Sequence, residues 1–477
     1  MDTARKTKIV ATLGPACRDV GTLQGMIAAG MDVVRINASH SNRDDMREGV
    51  KAVREASRRA GREVGVILDL MGPKIRIGEI DDGGVRLEDG QGFVLTAAEV
   101  VGDANRVSVG YADHLEAALH PGDAVLLDDG NLRLEVIAVS ANEVHCRVIA
   151  GGWLSSRKGI NLPGVYLDVP PLTAKDLSDL ELGRELGVDW VALSFVRSPG
   201  DVTTLREEMR RLDFDAPVIA KIEKREAVEA LEAVVEEADG VMIARGDLGV
   251  EMALEEIPLL QQKIIEVAAS LGKPVITATQ MLQSMIDSPT PTRAEVSDVA
   301  NAVFDATDAV MLSGETAVGS FPVDTVNTMR RVVLKAETVL PYDRWLDERR
   351  RWISSGMVEA VCFSACGLAR QTRATAIVAP TESGFTARQM SRFRPRQPIL
   401  ASTPSLATAR RLTLFWGVYP RLVQVRGSIE EMFATARDIA SREGLLGAGD
   451  TIVVTAGVKE GDGEGIPTTN TIHCVTV

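Results

Sequence analysis

Residues 217–223 read PVIAKIE, an apolar run that ends in a lysine and a glutamate two positions apart. Successive strand residues face opposite ways, so Lys221 and Glu223 share one face with Ile219. Such a strand is buried for most of its length and presents its charges at one end. The same form recurs along the chain. Further runs are KIVATLG (8–14), DVVRINAS (32–39), GVILDL (65–70), DWVALSFV (189–196), GVMIARGD (240–247), PVITATQ (274–280) and AVMLSGE (309–315). Amphipathic helical patterns such as VEALEAVVEEA and LLQQKIIEVAASL lie between them.

Eight alternating strand and helix units predict an α/β chain built on a (β/α)8 TIM barrel, whose strands are covered on both faces and so read as unbroken apolar runs. The polar residues gather at the strand ends: Arg35, Asn37 and Ser39; Asp69; Ser194; Lys221 and Glu223; Arg245 and Asp247; Thr279 and Gln280; Ser313 and Glu315. In a barrel these ends converge on the face where active sites are built. An ordinary ion pair accounts for one such end. It does not account for the set, because each buried charge costs several kcal/mol, roughly, unless it is paired or used.

The barrel is interrupted. Residues 73–163 carry alternating strand patterns with Gly and Asp turns and the loop SSRKGINLPG, and predict an inserted all-β lid domain. The barrel then comprises 1–72 and 164–340. Residues 341–477, with ATAIVAPTESG, PILAST and TIVVTAG as short strands, predict a C-terminal α/β domain. A lid that enters and leaves at the active face is placed to close over substrate.

Composition narrows the partners. A formal net charge of -14 excludes nucleic acid and anionic membrane as the main ligand. No apolar run reaches the ~18 residues of a membrane span, and the chain starts MDTARKTKIVATLG without a signal-peptide core, so a cytoplasmic protein is expected. The five cysteines read as reduced packing residues. An anionic substrate therefore has to be held by clustered cations, and Arg35, Arg76, Lys221 and Arg245 are read as facing one centre. Glu223 and Asp247, on adjacent strands, offer two hard carboxylates with room for water and substrate oxygens, which suits Mg²⁺. Cations around such a metal fit phosphoryl transfer, where catalysis is mostly positioning and charge neutralisation.

TKIVATLGPA, GMDVVRINASH, LDLMGPKIR, KGINLPG, AKIE, VMIARGDLGVE, PVITATQMLQSM, PTRAEVSDVANAV and DAVMLSGETAVG closely resemble, in order, segments of the pyruvate kinase family. The resemblance spans essentially the whole chain. It implies phosphoryl transfer from phosphoenolpyruvate to ADP, giving pyruvate and ATP, in a homotetramer. By resemblance, Arg35 holds the transferring phosphoryl group and Lys221 neutralises the phosphate and the enolate oxygen. Glu223 and Asp247 hold Mg²⁺, with Mn²⁺ an alternative. The backbone of Ala244, Arg245 and Gly246 receives the substrate carboxylate. Thr279 binds that carboxylate and serves the proton relay, with Ser313 and Glu315 as further catalytic residues. Asn37, His40, Arg76 and Lys158 contact the nucleotide. Two other readings, a non-catalytic sugar-phosphate sensor and a barrel lyase acting on phosphoenolpyruvate or pyruvate, leave Lys221 with Thr279, or Lys158 with Arg76, without a role.

In many members of that family K⁺ sits near the transferring phosphoryl group, on positions that match Asn37, Ser39, Asp69 and the carbonyl of Leu70. Those members have Thr-Lys after the aspartate and Glu at the position of Lys74. Here Leu70, Met71, Lys74 and Ile77 depart from that pattern, and the resemblance is to the K⁺-independent branch. An ammonium on a flexible stem supplies the missing charge; at ~4 Å and an effective dielectric near 20 it opposes K⁺ by ~4 kcal/mol. In the C-terminal domain, Thr381, Glu382, Ser383, Gly384, Phe385 and Thr386 precede a basic helix, a phosphate nest by pattern. The family holds an allosteric sugar phosphate there. Glu382, where bisphosphate-activated members often have lysine, points to a sugar monophosphate or AMP.

Overall fold

The computed structural model describes residues 5–140, 142–354, 356–423, 429–447, 449–457 and 469–476. All eight apolar runs form parallel strands: β1 (Lys8–Thr12), β2 (Val33–Asn37), β3 (Gly65–Asp69), β4 (Trp190–Leu193), β5 (Val218–Ile222), β6 (Gly240–Ala244), β7 (Val275–Ala278) and β8 (Ala309–Leu312). Each pairs with its sequence neighbours and β8 pairs with β1, closing the barrel. The strands are shorter than their apolar runs. Arg245 to Asp247, for instance, open the helix Arg245–Glu251, so strand pairing ends where the polar residues begin.

Period 2 explains why the barrel holds both a core and a site. Ile9, Ala11, Val34, Ile36, Val66 and Leu68 face outward into the layer packed by the helices. Val33, Ile67, Ala192, Ile219, Met242, Ile276, Ala309 and Met311 fill the interior. Continuing those inward positions by two brings Arg35, Asp69, Ser194 and Lys221 to the interior at the C-terminal end of the strands. The interior cluster continues past the N-terminal floor into Leu346, Cys362, Cys366, Met390, Phe393 and Phe415, so the C-terminal domain packs beneath the barrel.

Between β3 and β4 lies a separate hydrophobic cluster running from Ile75 to Leu162. It is built on a six-stranded and a two-stranded sheet. The lid is not wholly β: it carries a seven-residue helix, Ala112–Ala118. The chain enters it through Gly72 at φ 66, where a Cβ would lie 3.0 Å from the Ser194 carbonyl oxygen. Only glycine fits both that conformation and that approach. The C-terminal sheet has five strands in the order Val418–Leu422, Ile399–Thr403, Ala376–Pro380, Thr451–Ala456, Thr471–Thr476, the last antiparallel. Its two edge strands were not expected from the sequence; VYPRL carries Pro420, which an edge tolerates.

Among the described residues no helix is long and apolar enough to cross a membrane. All five cysteines are free thiols, four of them buried.

Candidate active site

The C-terminal ends of β2, β3 and β5 place four ionised side chains in one buried network. Arg35 Nε donates to Asp69 Oδ2 at 2.6 Å. Lys221 Nζ lies 3.4 Å from Asp69 Oδ1 and 2.9 Å from Glu223 Oε1. Ser194 Oγ accepts from Lys221 Nζ at 2.7 Å and donates to the Leu70 carbonyl at 2.8 Å. Burial works to raise the Asp69 carboxyl, but Lys221 and Arg35 outweigh it and hold it below the ordinary value. Burial likewise works against the Lys221 ammonium, and Asp69 and Glu223 keep it above its ordinary value. Lys221 is thus fully charged at neutral pH.

Glu223 behaves differently. Burial raises its carboxyl, Lys221 opposes, and the nearby Asp247 carboxylate raises it further. Its second oxygen accepts from the Phe195 amide at 2.7 Å. Two carboxylates that repel each other at one site are a natural seat for a hard divalent cation. Among the described residues no cluster of three or more His, Cys, Asp or Glu forms a full metal cage. Two protein carboxylates with the remaining positions left to water and substrate is the arrangement Mg²⁺ favours, so the residues present fit that ion.

Thr279 has φ 69 and Gln280 φ 55. For a β-branched residue this is a strained conformation of the kind found at functional sites. Thr279 Oγ1 accepts from the Gly246 amide at 2.8 Å and donates to the Ala278 carbonyl at 2.7 Å. The helix entry expected to receive a carboxylate is therefore present, with one of its amides resting on Thr279.

Arg245 does not join the common centre. Its guanidinium forms two 2.7 Å bonds with the Asp298 carboxylate and donates to the Thr279 carbonyl at 2.8 Å. It braces the entry loop from the side, through Asp298 and the Thr279 carbonyl. Glu315 is fully buried and accepts from the Ser313 amide at 2.6 Å and the Leu282 amide at 3.1 Å. It holds the backbone at Ser313 and Leu282.

A cavity of about 460 Å³ opens beside this network, lined by Arg35, Asn37, His40 and Ser313 together with Pro15 and Arg18. Burial lowers the His40 imidazole, and Arg76, Arg35 and Lys74 lower it further, so it is neutral at neutral pH. Arg76 and Lys158 are on the lid and outside the cavity wall. Arg76 donates to the Arg157 carbonyl at 3.1 Å, and Lys158 pairs with Asp128 at 2.6 Å.

The four positions matched to a monovalent cation adjoin one another, since Asn37 pairs in register with Asp69. Asn37 Oδ1 accepts from the Ser39 amide at 3.2 Å, and the Leu70 carbonyl is taken by Ser194. Lys74 is not in contact with them; its ammonium lies 3.8 Å from Asp129 on a lid turn. Asp128, Asp129 and Asp298 were not singled out from the sequence. The DDGN turn at 128–131 carried the signal for the first two; Asp298 lies in an ordinary helical pattern.

In the C-terminal loop, Gly384 adopts φ 86 and opens the helix Phe385–Arg392. Thr381 Oγ1 accepts from the Gly384 amide at 3.0 Å, Ser383 Oγ accepts from the Phe385 amide at 3.4 Å, and the Thr386 and Thr469 hydroxyls meet at 2.6 Å. Glu382 offers its carbonyl to Thr408 Oγ1 at 2.8 Å.

Two family models match the chain: pyruvate kinase, barrel domain, over residues 4–326, and pyruvate kinase, alpha/beta domain, over residues 359–475. The chain is 44% identical to a pyruvate kinase of Geobacillus stearothermophilus over 96% of its own length and 78% of the relative's. It is 43% identical to a pyruvate kinase of Methylorubrum extorquens, covering 97% and 96%. A crystal structure of a pyruvate kinase from Cryptosporidium parvum superposes with a TM-score of 0.94 at 35% identity, covering 100% of this chain and 99% of that one.

Proposed function

The chain belongs to the pyruvate kinase family, and on that premise we propose how its own residues transfer the phosphoryl group of phosphoenolpyruvate to ADP, giving pyruvate and ATP. The observation that carries the assignment of roles is the buried Arg35, Asp69, Lys221, Glu223 network opening onto the cavity beside it. Arg35 and Lys221 neutralise the transferring phosphoryl group, and Lys221 the enolate oxygen that is left. Asp69 fixes both cations in place. Mg²⁺ held by Glu223 and Asp247, with Mn²⁺ as the alternative, adds positive charge where substrate oxygens gather. The amides of residues 244–246 take the substrate carboxylate, and Thr279 exchanges its bond with Gly246 for one with that carboxylate and leads the proton to the enolate. Ser313 serves the same cavity, and Glu315 positions it. Asn37 and His40 contact ADP from the barrel, Arg76 and Lys158 from the lid. The protein acts in the cytoplasm as a homotetramer.

Turnover is independent of K⁺. Supporting this, the oxygens of Asn37 and Leu70 are bonded internally and Asp69 already has two cationic partners. Lys74, at the lid hinge, turns from Asp129 toward the site as the lid closes. The loop Thr381 to Thr386 takes a sugar monophosphate or AMP as effector.

The test is pyruvate formation from phosphoenolpyruvate and ADP with Mg²⁺, in K⁺ buffer and with K⁺ replaced by tetramethylammonium. Equal rates are expected. Activity only with K⁺ would refute the role of Lys74 while keeping the kinase.

A further inference from the structure

On the floor of the barrel, at the end away from the active site, a cavity of about 210 Å³ separates the strands from the C-terminal domain. Its barrel side is formed at the starts of β4, β5 and β6 by Trp190, Pro217 and Asp239, and its far side by Arg388 and Arg411. Among the described residues seven buried side-chain N or O atoms have no hydrogen-bond partner. Three of the seven belong to residues that line this one cavity: Trp190 Nε1, Arg388 Nε and Arg411 Nε. All three are donors, and a buried donor without an acceptor costs roughly 1–3 kcal/mol.

The charges are also unbalanced. Arg206 is consumed by Asp239 at 2.8 Å, by the Glu237 carboxylate at 3.5 Å and by the Glu237 carbonyl. Arg411 reaches Asp215 through its terminal nitrogens, leaving Nε free. Arg388 makes no side-chain hydrogen bond or ion pair among the described residues; its guanidinium sits 5.7 Å from the centroid of the Phe415 ring. Burial pulls that guanidinium below its ordinary value, with Asp239 as the counterweight. With Lys273, whose charge is felt alongside those of Arg388, Arg206, Asp239 and Glu237, four cations face three carboxylates, Asp215, Asp239 and Glu237. Water in the cavity leaves the surplus cation uncompensated, whereas an oxyanion beside the Arg388 guanidinium answers it.

We propose that this cavity binds the phosphate head of a small phosphomonoester, held by Arg388 and Arg411, with the Trp190 ring in its wall, at the seam between barrel and C-terminal domain. The volume admits a head group and little more, because whole-ligand pockets usually run from about 300 Å³ upward. The rest of the ligand leaves past Ser383, on the rim. Arg388 lies on the helix that Gly384 opens, so occupancy ties that helix to the barrel floor. The proposal does not rest on the loop Thr381 to Thr386 binding an effector.

Isothermal titration of the full-length protein with inorganic phosphate and with ribose 5-phosphate tests it, using the wild type, R388Q, R411Q and the loop variant T386A. Inorganic phosphate is expected to bind the wild type and T386A alike, and to bind R388Q and R411Q at least about tenfold more weakly, the usual worth of a charged hydrogen bond; ribose 5-phosphate, which the loop Thr381 to Thr386 also takes, should keep in T386A a site that R388Q and R411Q lack. Trp190→Phe should retain binding and remove the accompanying change in tryptophan fluorescence. Arg388 makes no side-chain hydrogen bond or ion pair among the described residues, and its burial opposes its charge, so R388Q should keep the unfolding temperature and the basal activity. Binding undiminished in R388Q, or no binding of either probe in the millimolar range, would overturn the proposal. Binding lost in T386A and kept in R388Q would also overturn it and assign the anion to the loop instead.

Discussion

Lys221 and Glu223, two positions apart on β5, face each other across 2.9 Å, and the far oxygen of Glu223 is tied to the Phe195 amide. The pair is fixed by backbone geometry, so the ammonium is preorganised before substrate arrives. Such preorganised charge is worth roughly 10²–10³ in kcat when one donor is removed. K221Q is expected to lose that much in kcat with a smaller change in KM for phosphoenolpyruvate, read by a lactate dehydrogenase-coupled assay. A variant that kept kcat and lost only KM would make Lys221 a binding residue alone.

Glu223 and Asp247 repel each other in the metal-free protein, and burial adds to the strain on Glu223. Mg²⁺ relieves both. The wild type should therefore gain thermal stability on addition of Mg²⁺ by mass action, and E223Q should gain much less. E223Q should also unfold no more easily than the wild type when both are stripped of metal by EDTA, because a neutral amide removes the repulsion. Differential scanning calorimetry with and without Mg²⁺ decides this without recourse to activity.

The barrel and most of its site were legible because the same pattern carries both. An inward-facing series such as Ile219, Lys221, Glu223 is apolar where the core must be dry and charged where the strand ends. What was not legible depended on long-range partners. The guanidinium of Arg245 reads as one more active-site cation until Asp298, 53 residues later on a helix, is found holding it. Glu315 reads as a further catalytic residue, and the sequence does not show the two backbone amides that its oxygens hold. The strand Val418–Leu422 escaped because a sheet edge permits proline and polar residues that a central strand excludes.

Lys74 is held near Asp129 at 3.8 Å in a partly exposed pair, which contributes little on its own. Its proposed role depends on the lid carrying it toward the site. K74E should place a carboxylate beside the site, lower the rate without K⁺ by about tenfold or more, and recover much of that rate when K⁺ is added. Steady-state rates across a K⁺ titration at constant ionic strength are the measurement. A K74E enzyme as active as the wild type in tetramethylammonium would remove Lys74 from the mechanism.

Thr279 holds a left-handed backbone that costs a β-branched residue roughly 1–2 kcal/mol. Glycine relieves that cost and gives up hydroxyl bonds of about 0.5–1.5 kcal/mol each. T279G is thus expected to unfold within a few degrees of the wild type while its kcat falls about 10²-fold, the usual worth of a positioned proton-transfer group. Unfolding and turnover measured on the same preparation separate the two roles. A large loss of stability would show that the hydroxyl is there to hold the entry loop.

Lys8, at the start of β1, is buried beneath the C-terminal domain, where Nζ donates to the Val418 carbonyl at 2.6 Å and lies 4.3 Å from the centroid of the Tyr419 ring. Burial brings the ammonium down to about 7, with Asp32 opposing and Arg5 and Arg62 adding to the fall. In the unfolded chain the same group titrates near 10.4. Because the folded value is the lower one, the contribution to stability is complete only above the unfolded value and is lost as pH falls through about 7. Between about pH 7 and 9 the unfolded state binds more protons, so the wild type should gain about 2 kcal/mol relative to K8M over that interval, at up to 1.36 kcal/mol per pH unit. Urea unfolding of both proteins at several pH values reads the difference directly. Parallel curves would mean that Lys8 keeps its proton in the fold, held by Asp32 more strongly than burial opposes.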